Sequence, residues 1–196
     1  MALLWSNRPE PQARASLRQE LHVLRSNLVP FHSCAVLTSE DSVALDPAVV
    51  TVDVILLERP ARSREAEALQ RALALYGGDL LDGITIKDPV GEEWLLAERR
   101  RLRELAVTTL ETLLTLQLAG GSDDAALATA QQLLRLDRLH EGAHRELMRL
   151  LTRQGRRSAA FRQYEQCRDA LRRELGVEPE AATELVYRDL LCRPPA

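Results

Sequence analysis

Most hydrophobic positions in this chain recur at helical spacing. Leu17, Leu21, Leu24 and Leu28 are four, three and four residues apart, which predicts one helix from Gln12 to about Leu28, ended by Pro30. Before it, Ala2–Trp5 reads as the end of a helix. Asn7-Arg8-Pro9-Glu10-Pro11 reads as a loop, because a residue preceding proline avoids the helical region. Cys34–Thr38 and Ser42–Leu45 read as two short strands joined by a turn at Ser39-Glu40-Asp41 and closed by Asp46-Pro47. An isolated hairpin is marginal in water, so this one is expected to pack on another element.

From Val52 onward the pattern is helical almost throughout. A helix is predicted from Arg64 to Tyr76, ending at Gly77-Gly78, and a long one from Glu92 to Leu118, ending at Gly120-Gly121. Ser122 is read as the N-cap of the next helix, with Asp123 and Asp124 in its first turn and an end near Leu136. Three more follow: His140–Gln154, stopped by Gly155; Arg156–Leu175, stopped by Gly176; and one opened by Pro179 that runs to about Leu191. Trp94, near Leu95, Leu96 and Leu102 on the long helix, is expected to lie within the packing of the helical part.

Two of these segments repeat. The stretch that starts at Gly121 aligns with the one that starts at Gly155, an offset of 34 residues, which is the tetratricopeptide period. Ala126 and Ala160 fall at equivalent places, where a small side chain lets paired helices approach closely. Such stacked pairs bury a continuous core and leave a concave surface for partners.

Composition supports helices. Aromatic residues are 4% of the 196, fewer than a sandwich or barrel normally uses. A net charge of −3 excludes a generally basic nucleic-acid coat, though not one basic face. Of the 26 basic residues only Lys87 is lysine, the usage expected of a GC-rich coding sequence. Cys34, Cys167 and Cys192 are widely spaced and form no CxxC pair, so neither a zinc ribbon nor a redox motif is expected, and a reducing cytoplasmic setting is. No apolar run is long enough to predict a membrane span, and the first residues lack the pattern of a signal peptide.

Three constellations could carry chemistry. His140-Glu141-Gly142-Ala143-His144 matches HExxH, which on a helix sets two imidazoles on one face as zinc requires. Gly142, Arg145 and Glu146 stand where a zinc protease carries apolar residues, and Arg145 would repel a dication. The motif is therefore read as an ordinary repeat helix in which Glu141 pairs with Arg145, and neither bound zinc nor any other cofactor is expected. The glycine-rich phosphate loop, nucleophile elbow and kinase signature are absent from the sequence, so the chain is not read as an enzyme. From Arg145 to Arg173 nine arginines face three acids, a local net of +6, read either as a solvated face or as a docking surface for an acidic partner. Finally, the Gln12–Leu28 helix carries Arg14, Ser16, Arg18, Gln19, His22 and Arg25 opposite its leucines, types that contact phosphates and base edges. A helix followed by a hairpin is how a winged helix-turn-helix unit ends.

Taken together, these residues resemble a known family. Leu3–Glu10 and Gln12–Gln19 are similar to the second half of the winged helix of SARP-type regulators. The remainder resembles their bacterial transcriptional activator domain, a tetratricopeptide-like module. It does so through Leu75–Leu81, Glu93–Arg99, Leu136–Arg145 and Gln163–Glu165 through Glu174–Pro179. The expected fold is mostly α, with a partial winged helix over residues 1–50 and an activator domain of helical repeats over 51–192. The resemblance implies a transcription regulator, an activator in sign. Its helix would bind promoter DNA, with Arg14, Arg18 and Arg25 on phosphates and Ser16, Gln19 and His22 nearer base edges. Its helical domain would serve self-association or contact with RNA polymerase. A protein-interaction scaffold, or a dominant-negative partner without DNA binding of its own, is the alternative reading. The resemblance implies a sheet and a first helix before Leu3 that this sequence lacks, so the chain is expected to be a fragment, the product of a late start codon, or a natural truncation. Val23, Ser26 and Asn27 also stand where basic residues are usual, and weak DNA affinity is expected of this chain alone.

Overall fold

The computed structural model describes residues 3–30, 35–39, 42–59 and 63–192. In chain order the elements are α1 (Glu10–Leu28), β1 (Val36–Thr38), β2 (Val43–Leu45), α2 (Asp53–Glu58), α3 (Ala66–Leu75), α4 (Pro89–Ala119), α5 (Asp123–Leu136), α6 (Glu141–Arg153), α7 (Arg157–Glu174) and α8 (Ala181–Cys192). The fold is mostly helical with one antiparallel hairpin, as expected. Contacts divide the chain into two units, one of Met1–Arg59 with Leu75–Leu102, the other of Pro60–Ala74 with Arg103–Ala196.

In the first unit, β1 and β2 pair in the register Val36↔Leu45, Leu37↔Ala44 and Thr38↔Val43. Arg25 reaches from α1 to β1 and donates to Thr38 Oγ1 at 2.7 Å, so the hairpin is tied to the helix as its marginal stability requires. Cys34 and the turn residues Glu40 and Asp41 lie outside the described residues. The leucine stripe of α1 is only partly covered: Ala13 is buried, Leu17, Leu21 and Leu28 are half-buried, and Leu24 is 42% exposed. Leu3 and Leu4 form a turn rather than the end of a helix, followed by a hydrogen bond from the Arg8 amide to the Trp5 carbonyl at 3.1 Å. The N-terminal segment is held at the start of α4, where the Ser6 amide and hydroxyl both donate to Asp88. Gly91 permits this approach, since a Cβ there would lie 2.4 Å from the Leu3 carbonyl oxygen.

Farther along α4, Arg99 donates to the carbonyls of Leu80 at 2.8 Å and Leu81 at 2.7 Å. This pins a loop in which Leu81 takes the left-handed conformation, φ 52°. Arg101 bonds Glu58 at 2.7 Å and so ties α4 to α2. Leu95 and Leu102 are buried as the pattern implies. Trp94 is not: it is 39% exposed, which corrects its expected place in the packing. One turn of helix carries both kinds of residue, and only the side shared with Leu95 and Leu102 turns inward.

The second unit is built around α6, which packs against α5, α7 and α8. One cluster joins Leu114 of α4, Ala126 and Ala130 of α5, and Leu147 and Leu150 of α6. A second joins Met148 and Leu151 of α6, Ala160 and Tyr164 of α7, and Val186 and Leu190 of α8. Ala126 and Ala160, 34 residues apart, each fall in one of these clusters. Ala126 and Ala160 are both fully buried at helix crossings. The equivalent glycines, Gly121 and Gly155, take φ 69° and 71°, the left-handed turn that ends the preceding helix without Cβ strain. Ser122 does occupy the N-cap position of α5, but its side chain makes no capping bond; its amide donates instead to the Gln117 carbonyl at 2.9 Å. Tyr164 and Tyr187 stack at 3.9 Å, and the Tyr164 hydroxyl donates to Glu184. Burial, with Glu184 beside it, pushes that phenol up to about 12.

Candidate nucleic-acid interface

The six residues singled out on α1 all lie on one described helix, but the structure treats them differently. Arg14 is folded back along its own helix, where Nε and Nη2 donate to Glu10 at 3.0 and 2.8 Å. Arg25 is committed to the hairpin through Thr38. Ser16 is half-buried and its hydroxyl accepts from Arg8 at 2.9 Å. Arg18, Gln19 and His22 are exposed, and among the described residues their side chains form no recorded hydrogen bond or ion pair. Arg18 and His22 are one turn apart, and Gln19 stands beside them on the outward side. This trio offers a cation, an amide and an imidazole to a neighbouring surface. The Arg14–Glu10 pair is exposed and of the kind that contributes little, so a phosphate could displace it at small cost. Arg8 was not singled out from the sequence. Its signal was its place immediately before Pro9 at the entrance to α1, where its guanidinium donates to the Ser16 hydroxyl.

The arginine run from Arg145 to Arg173 does not form an open cationic stripe. Arg145 bonds Glu180 and Thr183, Arg149 bonds Glu146, Arg153 bonds Asp123 at 3.0 Å and Arg172 bonds Glu178 at 2.7 Å. Arg157 donates to the carbonyls of Leu190 and Leu191 and so caps the end of α8. Asp123 of α5 and Glu178 and Glu180 of the segment before α8 thus answer part of the local +6, while Arg149 pairs within its own helix.

At the HExxH motif, both ring nitrogens of both histidines are engaged. His140 is the N-cap of α6: Nδ1 accepts from the Ala143 amide at 3.0 Å, and Nε2 donates to Glu111 at 2.7 Å. His144 is buried, with Nε2 donating to the Arg138 carbonyl at 3.0 Å and Nδ1 accepting from Gln163 at 2.6 Å. Among the described residues no group of three or more His, Cys, Asp or Glu is placed to hold a metal ion. The expected Glu141–Arg145 pair is replaced. Glu141 accepts from the Glu180 amide and the Thr183 hydroxyl, while Arg145 turns to Glu180 and Thr183. Both residues thereby join α6 to the start of α8, a longer-range use than an i,i+4 pair on one helix.

His144 sets a pH dependence. Burial, the largest influence, pulls its pKa below the usual 6.5. The unfolded chain then binds the proton more readily than the native one, so stability is full above about pH 6.5 and is lost as pH falls from there through the native value. We expect the unfolding midpoint to fall between pH 7 and pH 5, and the slope to be reduced in His144→Gln. A variant with the same slope as the parent would exclude His144 as its source.

The helical module, the glycine-ended repeats and the helix-plus-hairpin unit define a class. The chain belongs to the bacterial transcriptional activator domain family, which it matches over residues 50–191. It is also 31% identical, over 207 aligned residues, to the regulatory protein AfsR of Streptomyces coelicolor, covering 98% of this chain and 20% of AfsR. It therefore spans about a fifth of that curated relative's length. Among solved structures, Mycobacterium tuberculosis EmbR in complex with a low-affinity phosphopeptide shares the fold with a TM-score of 0.63. That match covers 100% of this chain and 54% of the EmbR chain at 19% identity. The resemblance to SARP-type regulators thus holds for both sequence and fold. Among the described residues, no helix is long and apolar enough to cross a membrane.

Proposed function

We propose that this chain acts in transcription regulation as an activator that binds promoter DNA through α1, with residues 51–192 serving self-association or contact with RNA polymerase. Residues 1–50 would be the DNA-binding part. The observation that carries this reading is the exposed Arg18–Gln19–His22 surface of α1, on a helix braced to its hairpin by Arg25 and Thr38. A helix of this kind fits the major groove, with the hairpin available to the neighbouring backbone. Membership of the activator-domain family supports the regulatory role. In this reading Arg18 contacts a phosphate, joined by Arg14 once it leaves Glu10, while Gln19 and His22 read base edges. Ser16 and Arg25 position the helix as well as touching DNA.

The test is a salt titration of DNA binding by the chain and two variants. Arg18→Ala should weaken binding to every sequence alike and reduce the slope of log K against log salt by about 0.9, one phosphate's share. Gln19→Ala should leave the slope unchanged and cost about 1–3 kcal/mol at a single base position. Binding that neither substitution alters would remove α1 as the reading helix. Absence of salt-dependent binding would favour a protein-interaction scaffold instead.

A further inference from the structure

We propose that the outer face of α8 is a two-fold interface between copies of this chain, with the two α8 helices packed antiparallel. The proposal deepens the self-association reading above and rests on it. On its inner side α8 buries Thr183, Val186 and Leu190. On its outer side Ala181, Leu185, Arg188 and Cys192 recur at spacings of four, three and four, the spacing of a helix–helix seam. Leu185 at the middle of this seam is 59% exposed.

The charges on that face say what covers it. Arg188 and Asp189 are adjacent, opposite in sign and exposed, and among the described residues neither forms an ion pair. The arginines of α6 differ: Arg145, Arg149 and Arg153 each have a carboxylate partner. An adjacent pair of unanswered opposite charges is complementary to itself. A two-fold axis passing between residues 188 and 189 of antiparallel helices sets Arg188 of each copy against Asp189 of the other. A parallel pairing would set like charges together. The same axis places Leu185 of one copy against Cys192 of the other. A cavity of about 700 Å³ adjoins the seam, where Val186, Leu190 and Asp189 of α8 face Glu146, Arg149 and Arg153 of α6.

Sedimentation equilibrium of the whole chain at micromolar concentrations, under reducing conditions, tests this. We expect a monomer–dimer equilibrium. Leu185→Asp, which would bury an unpaired carboxylate in the seam, should raise the Kd about a hundredfold. Arg188→Asp should also weaken the dimer, and the double variant Arg188→Asp with Asp189→Arg should restore it. These positions are exposed, so the circular dichroism spectrum and Tm of the monomers should match the parent. A dimer with its Kd unmoved by Leu185→Asp, or not restored by the charge exchange, would refute this interface while leaving self-association intact. A chain that stays monomeric throughout would overturn both, and neither result touches the DNA titration.

Discussion

Leu150→Ala is expected to destabilise the second unit by about 3–5 kcal/mol, the upper range for a leucine truncated in a core that cannot collapse around the loss. Leu150 is fully buried at the junction of three helices, beside Leu114 of α4, Ala126 and Ala130 of α5, and Leu147 of α6. Its neighbours are themselves fixed by helices pressed together at alanines, so little can move to fill the void. Chemical denaturation followed by circular dichroism measures the effect. A loss below about 1.5 kcal/mol, the range of a well-tolerated apolar exchange, would mean that α6 is not the centre of this unit.

Ala160→Leu should cost at least as much as the usual 1–3 kcal/mol of overpacking, because the added atoms enter a closed crossing rather than a gap. Ala160 is 0% exposed and packed within the cluster of Met148, Leu151, Tyr164, Val186 and Leu190. Ala126, its equivalent one repeat earlier, should respond alike to Ala126→Leu, since it is also 0% exposed. Parallel losses in the two variants would confirm that the 34-residue offset is a packing period. If either leucine were accepted without loss of Tm, the two alanines would not be equivalent. Trp94→Ala is the contrasting control: with 39% of the side chain already in solvent, it should cost well under the 3–5 kcal/mol typical of a buried tryptophan.

Elements and their ends were readable from the sequence because local chemistry determines them. Leucine spacing marked α1, glycines marked where α4, α6 and α7 stop, and Gly121, Gly155 and Gly176 all take the left-handed conformation those stops require. The repeat was equally legible, since two small residues one period apart must both face a crossing helix. Residues paired across long separations were not legible. Glu141 and Arg145 are one turn apart and look like each other's partner, yet both turn to α8, 35 to 42 residues away. The arginine run looked like a cationic face until Asp123 of α5 and Glu178 of the segment before α8 came beside it. On α1, spacing identified an outward surface, but only the tertiary structure separated Arg14, Ser16 and Arg25, already bonded, from the exposed Arg18, Gln19 and His22. Trp94 is the same case in reverse, an apolar side chain on the outward side of a half-buried helix. Periodicity says which residues share a face of a helix. What that face meets depends on elements brought alongside from elsewhere in the chain, and a local pattern does not contain that information.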